Sequence, residues 1–326
     1  MIPGAERRIV TVAPGVSLEL FEAGAGPPVI LLLHGFPELA YSWRHQVGPL
    51  AAAGYRVIVP NQRGYGASSA PAPVEAYDLD SLAGDVAALV RWAGAGPAVV
   101  IGHDWGAPVA WHTALRYPGL VRAVGSLSVP HAARPSRPPL ELMREAAGPD
   151  HIHYIDYFQQ PGLAEAEFEA DVRAGLLGFY WSISGDAPRD ERFRPIRRGA
   201  RFIDSFAPPA QLPAWLTAAD LEVYVEAFTR TGFRGGLNWY RNVNRNWERS
   251  ADLAGAVVRQ PALFVTGSRD PARNPPAIER LRDVVPDLRV FAILEGCGHW
   301  TQQERPAEVT GAILRFLRDI DAPAAP

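Results

Sequence analysis

The sequence predicts an α/β protein: a mostly parallel sheet with helices on both faces and a helical segment inserted into it. Three observations carry that expectation. Short continuous apolar runs at 29–33 and 98–102 suit strands buried on both faces. Amphipathic helical patterns alternate with such runs over the first 130 residues. From 131 to 247 the pattern changes to aromatic-rich helical stretches separated by prolines, and strand–helix alternation then resumes.

Taken in order, Val16–Phe21 alternates like a strand and Val29–Leu33 is wholly apolar. Ser42–Ala53 reads as helix and Arg56–Pro60 as strand. Asp78–Trp92 places Leu82, Val86, Leu89 and Val90 on one helical side. Ala98–Gly102 is a second buried strand, followed by a helix over Gly106–Tyr117 that Pro118 ends and a strand over Val121–Ser128. In the insertion, Glu165–Gly178 and Asp220–Arg230 are the clearest helices, and no strand is expected there. Ala262–Gly267 and Arg289–Leu294 then read as strands around a helix at Pro276–Val284. A last amphipathic helix carries Val309, Ile313, Phe316, Leu317 and Ile320, before a weak Ala/Pro tail at Ala322–Pro326. The expected division is a core of 1–130 and 248–326 with a helical insertion at 131–247.

Composition narrows the function classes. All 32 of the Lys+Arg residues are arginine, so chemistry that requires a lysine amine is excluded. A net charge of −3 provides no electrostatic footprint for nucleic acid. The single cysteine, Cys297, cannot form an internal disulfide; with no signal-peptide pattern at the amino terminus, a cytoplasmic location is expected. No apolar run reaches the roughly 18 residues of a membrane span. The arginine run Arg189, Arg192, Arg194, Arg197, Arg198 and Arg201, interleaved with Asp190 and Glu191, reads as a solvated surface segment.

The chemistry centres on Gly102-His103-Asp104-Trp105-Gly106, between a buried strand and a helix. Glycines on both sides permit the sharp turn that lifts the middle side chain above the sheet. That arrangement is the nucleophile elbow of the α/β-hydrolase fold, with aspartate in place of serine. A carboxylate is ionised at neutral pH and attacks saturated carbon without a base, leaving an ester on Asp104. Hydrolysing that ester requires a histidine, an acid to orient it and donors for an oxyanion. His299, after the last strand, and Asp270, after the strand 262–267, follow the nucleophile in the expected order. The competing acid position holds Ser128-Val129-Pro130 and has no carboxylate. His34-Gly35-Phe36-Pro37 has the turn chemistry to aim amides at the site, so the oxyanion donors are assigned to the N–H groups of Phe36 and Trp105. His34 and His103 are read as packing and turn residues.

Six segments in order give the chain its resemblance: HGFPELAYSW (34–43), RGYGAS (63–68), GHDWG (102–106), YFQQPGLAEAEF (157–168), LNWYRNVNRNW (237–247) and GCGHWTQ (296–302). Over nearly its whole length the sequence resembles the epoxide hydrolases of the α/β-hydrolase superfamily, of the soluble epoxide hydrolase type. The resemblance implies that the insertion is a lid and that two lid tyrosines hydrogen-bond the epoxide oxygen. Matched by position these are Tyr154 and Tyr240, with Tyr157 close enough to compete for the first place. A phenol suits the task, since its pKa of about 10 lets it donate a proton to an alkoxide yet keep it at neutral pH. Asn61-Gln62, where related enzymes often carry an acid, is a departure that bears on support of the sheet more than on chemistry.

Phe158, Phe179, Trp181 and Trp215 are candidates for the substrate pocket or the lid core. The expected partners are a largely apolar epoxide and water, with no metal or organic cofactor, in a monomer or homodimer. A haloalkane or haloacid dehalogenase using the same ester chemistry is the alternative. A non-catalytic ligand-binding protein on the same fold is a more remote one.

Overall fold

The computed structural model describes residues 1–207 and 209–322; of the Ala/Pro tail, 323–326 lie outside the described residues. The chain begins with an antiparallel pair, β1 (Glu6–Ala13) and β2 (Val16–Ala23), then β3 (Val29–Leu33), α1 (Arg44–Ala52) and β4 (Arg56–Pro60). α2 (Leu79–Ala93), β5 (Ala98–His103), α3 (Gly106–Arg116) and β6 (Val121–Leu127) follow. The next segment contains α4 (Pro139–Ala147), β7 (His151–Ile152), α5 (Tyr154–Tyr157), α6 (Leu163–Ala170), α7 (Val172–Ser182) and β8 (Ile196–Arg197). It continues through α8 (Ala218–Thr231), α9 (Arg234–Arg241) and α10 (Val243–Arg249). The sheet resumes with β9 (Ala262–Gly267), α11 (Pro275–Glu279), α12 (Leu281–Val284) and β10 (Leu288–Leu294), and α13 (Thr301–Glu304) and α14 (Pro306–Asp321) end the chain.

Eight strands form one sheet in the order β1-β2-β4-β3-β5-β6-β9-β10. From β4 to β10 every pairing is parallel, and β2 is antiparallel to both its neighbours. Alternation along the buried strands divides the core in two. Val29, Leu31 and Leu33 pack on one face with α2 and α3, while Ile30 and Leu32 pack on the other with α1 and α14. Each such side chain, fully buried, contributes on the order of 1.5–3 kcal/mol. Parallel strands put their carboxyl ends on one edge, so the loops after β3, β5, β9 and β10 meet there.

The segment between β6 and β9 packs against that edge through specific bonds. The Tyr180 hydroxyl donates to Pro37 O (2.7 Å), and the indole N–H groups of Trp239 and Trp300 donate to Arg63 O (3.1 Å) and Tyr180 O (2.8 Å). Its aromatic side chains join the α2/α3-side core without a break.

Four local expectations differ from the structure. Strand β1 was not anticipated, because it is an edge strand with mostly exposed side chains and no alternating pattern. The helix expected at 165–178 is two helices, since Asp171 is extended (φ −151°) and its carboxylate caps α7 at Ala174 N (2.9 Å). The helix expected at 276–284 likewise breaks at Arg280. The insertion contains a strand pair, β7 with β8, too short for a periodicity to register. The arginine run is exposed at Arg189, Arg194, Arg197, Arg198 and Arg201 and half-buried at Arg192. Among the described residues no helix is long and apolar enough to cross a membrane.

One buried ion pair joins the loop after β4 to α2. Arg63 donates to both oxygens of Asp85 (2.8 and 2.7 Å), with both residues buried. Burial outweighs the guanidinium and leaves the Asp85 carboxyl above its ordinary range. Arg63→Met should therefore cost about 3–5 kcal/mol of unfolding free energy, because a buried charge loses its partner. Urea denaturation checks this; a loss below about 1 kcal/mol would place the pair among weak surface bridges.

Candidate active site

Asp104 sits between β5 and α3 with φ 49°, a left-handed backbone that a non-glycine residue rarely adopts. The turn closes only because its neighbours lack side chains. A Cβ on Gly102 would lie 1.9 Å from Gly106 O, and one on Gly106 would lie 2.3 Å from Leu33 O. Gly35 is constrained by the elbow aspartate itself, since a Cβ there would lie 2.2 Å from Asp104 Oδ1. That oxygen accepts the Phe36 amide at 2.7 Å. Trp105, the residue after Asp104 in the chain, is the N-cap of α3.

His299 follows β10 and stands between two carboxylates. Its Nε2 is 3.3 Å from Asp104 Oδ2, and its Nδ1 is 3.0 Å from Asp270 Oδ1. Burial alone would lower the imidazole pKa, but the charges and hydrogen bonds of Asp270 and Asp104 outweigh it and raise it well above 6.5. Asp270 is held down despite its burial, by His299 and by the Ala272 amide (2.8 Å). The three residues expected from sequence thus meet in one chain of contacts.

Two further histidines brace this constellation. His103 faces Glu38 Oε2 through Nδ1 (2.7 Å) and the His299 carbonyl through Nε2 (2.7 Å). Its ring is thereby held at both nitrogens, between the Glu38 carboxylate and the His299 backbone. Burial opposes the Glu38 charge, yet His103 holds its pKa well below the usual range. The Ser128 hydroxyl also donates to the His299 carbonyl (2.8 Å). Glu38 and Ser128 were missed as site residues, since only the fold shows what they touch. His34 is neutral: Nε2 accepts the Gln62 amide (3.0 Å) and Nδ1 donates to Gly35 O (2.9 Å), while burial lowers its pKa to about 4. Asn61 accepts the Ala40 amide (2.7 Å) and donates to Glu19 (2.6 Å), so the Asn-Gln pair supports the loop after β3.

Tyr154 from α5 and Tyr240 from α9 approach to 6.0 Å between ring centroids. Both line a cavity of about 100 Å³ with Phe36, Asp104, Phe179 and His299. Burial, reinforced by the Asp104 charge, pushes both phenols above their ordinary range. Tyr157 is engaged elsewhere, its hydroxyl donating to Glu167.

Of the other four pocket candidates, Phe179 lines the cavity and three do not. Phe158 is fully buried behind it, packed edge-on against Tyr154 (5.7 Å) and Tyr240 (5.1 Å). Each indole N–H has found its partner away from the cavity. Trp181 donates to Glu191 (2.7 Å), and Trp215 donates to Ser184 (3.0 Å) and packs on Tyr180 and Trp300. Ile183, Phe193, Pro271 and Ala272 complete the wall. Only Pro271 and Ala272 had a signal in the sequence, their adjacency to Asp270.

The family described as alpha/beta hydrolase fold matches residues 28–306. Epoxide hydrolase A of Mycobacterium tuberculosis is 45% identical over 98% of this chain and 99% of its own. A crystal structure of epoxide hydrolase A from Mycobacterium thermoresistibile superposes with a TM-score of 0.91 at 47% identity, covering 96% of this chain and 98% of that one. An epoxide hydrolase from an endophytic Streptomyces gives a TM-score of 0.94 at 45% identity, over 98% and 96% of the two chains. The elbow aspartate, the buried histidine behind it and these full-length likenesses agree: the chain belongs to the alpha/beta hydrolase fold family and, within it, to the epoxide hydrolases.

Proposed function

We propose that this chain hydrolyses an epoxide to a vicinal diol through an ester on Asp104, with residues 131–247 serving as the lid. The observation that carries the reading is the pair of buried, protonated phenols facing a carboxylate nucleophile across one small cavity. Asp104 Oδ2 attacks an epoxide carbon as the C–O bond breaks, and Tyr154 and Tyr240 supply hydrogen bonds and a proton to the leaving oxygen. The cavity wall is mostly aromatic and aliphatic, which suits a largely apolar substrate.

Esterification removes one of the two charges that hold the His299 proton. The imidazole pKa falls, and the proton it releases restores the tyrosine. Neutral His299, kept in orientation by Asp270, then takes a proton from water as the water oxygen adds to the ester carbonyl. The oxyanion occupies the position of Oδ1, where the Phe36 amide already donates. The amide of Trp105, the residue after Asp104 in the chain, is the second donor expected from the sequence. Collapse expels the diol, which takes the proton from His299. The carboxylic acid left on Asp104 then returns its own proton to His299, restoring the starting carboxylate and imidazolium.

In a His299→Gln variant given styrene oxide, intact-mass measurement should find an adduct with the whole epoxide mass on Asp104. An adduct formed only from a bromoalkane would instead establish a dehalogenase. Single Tyr154→Phe and Tyr240→Phe variants should each lose on the order of 10²-fold in kcat/KM, as for removal of one oxyanion donor, and the double variant should fall to background. Full activity in the double variant would remove both from the mechanism. Asp104→Asn mimics the loss of charge on esterification, so the His299 pKa read by NMR titration should drop relative to the wild type. An unchanged value would show that Asp270 alone sets it.

A further inference from the structure

Glu304, at the end of α13, carries a buried carboxyl group that the mechanism above does not use. The neighbouring Arg305 turns instead to Glu308 (3.6 Å). Three backbone amides hold Glu304: Gly185 (3.0 Å) and Gly298 (2.8 Å) donate to Oε2, and Trp300 (3.1 Å) donates to Oε1. Gly298 and Trp300 flank the base His299, whereas Gly185 follows α7 in the inserted segment. One carboxylate therefore bridges the base loop and the lid.

Other bonds converge on the same junction. The His299 amide donates to Ile183 O (2.9 Å), and Arg269 donates to Gly185 O (2.8 Å). The two backbones approach so closely that a Cβ on Gly298 would lie 2.1 Å from Gly185 N, and one on Gly185 would lie 2.2 Å from Gly296 O. Ile183, in the middle of this junction, also lines the cavity. Displacing 183–185 would thus pull on the backbone of the base itself.

We infer that Glu304 is a positioning residue that couples the lid to the base, aiming His299 at the Asp104 ester only while 183–185 is seated. The inference rests on the ester reading above. A carboxylate has two accepting oxygens and no hydrogen, which three converging N–H donors require. In glutamine, either orientation of the amide turns N–H toward N–H at one of them. Asp104 touches the junction through His299 Nε2 (3.3 Å). It takes its own position from β5 and the Phe36 amide, so its attack on the epoxide depends on the junction less than water activation does. Water activation depends on the angle and reach of His299 Nε2, where a misplacement of about 1 Å costs on the order of 10²-fold.

The test follows one turnover of styrene oxide by rapid acid quench and intact mass. Transient adduct in the wild type establishes the ester independently; its absence would overturn that reading and this inference with it. In Glu304→Gln, adduct formation should stay within about twofold of wild type while its decay slows about tenfold or more, so the adduct accumulates. A merely structural role would reduce both steps together. Equal loss in both steps, or decay within about twofold of wild type, overturns the assignment. Should Glu304→Gln lose its cooperative thermal transition, Gly185→Ala disturbs the junction from the lid side. The same separation of the two steps is then expected, and its absence is equally decisive.

Discussion

A buried imidazole held between two carboxylates is the interaction on which the rest of this structure depends. With both carboxylates charged, His299 retains its proton although burial disfavours it. In the proposed cycle the substrate itself changes that balance, because esterifying Asp104 removes one charge and leaves Asp270 to orient a neutral base. Nucleophile and base are thereby matched in time. The carboxylate is free to attack before the histidine is free to deprotonate water.

Holding the two charged ends in place requires backbone geometry that ordinary sequence would not tolerate. Asp104 adopts a left-handed conformation, and the close approaches at Gly102, Gly106 and Gly35 leave no room for a Cβ. Beneath the site, the fully buried Glu38–His103 pair fixes the carbonyl of His299. A buried pair of this kind contributes little net stability beyond an apolar substitute, since desolvation offsets much of the attraction. Its visible consequence here is positional: the base is pinned through its backbone as well as its ring.

Phe36 connects this polar centre to the inserted segment. Its amide donates to the nucleophile, while its ring packs edge-on against Phe158, Phe168, Phe179, Phe233 and Tyr240, with centroids 5.4–6.4 Å apart. The amide proposed as an oxyanion donor is thus anchored in the aromatic core of the insertion. On the opposite side, Glu304 ties the same insertion to the histidine loop. The site is assembled between two packed layers, and neither layer holds its geometry alone.

The strand runs, the elbow and the order Asp104, Asp270, His299 were legible because each is local: a period of two, a glycine spacing, a residue at the end of a strand. The tyrosine positions came from resemblance, and the structure shows Tyr154 in the cavity wall and Tyr157 bonded to Glu167. Other features the sequence left open. Trp181 and Trp215 could line the pocket or fill the core of the insertion, and the fold decides for the core by giving each indole N–H a partner away from the cavity. His103, read as a residue of packing and turn hydrogen bonds, is buried and hydrogen-bonded, and only the fold shows that its partners are Glu38 and the distant carbonyl of His299. Sequence by itself determined which residue types stand at the ends of the parallel strands, because the periodicity of buried strands is written in consecutive side chains. Tertiary structure decided charge state, pocket membership and the bonds between the insertion and the His299 loop, because these depend on atoms brought within 3 Å of each other from positions far apart in the chain.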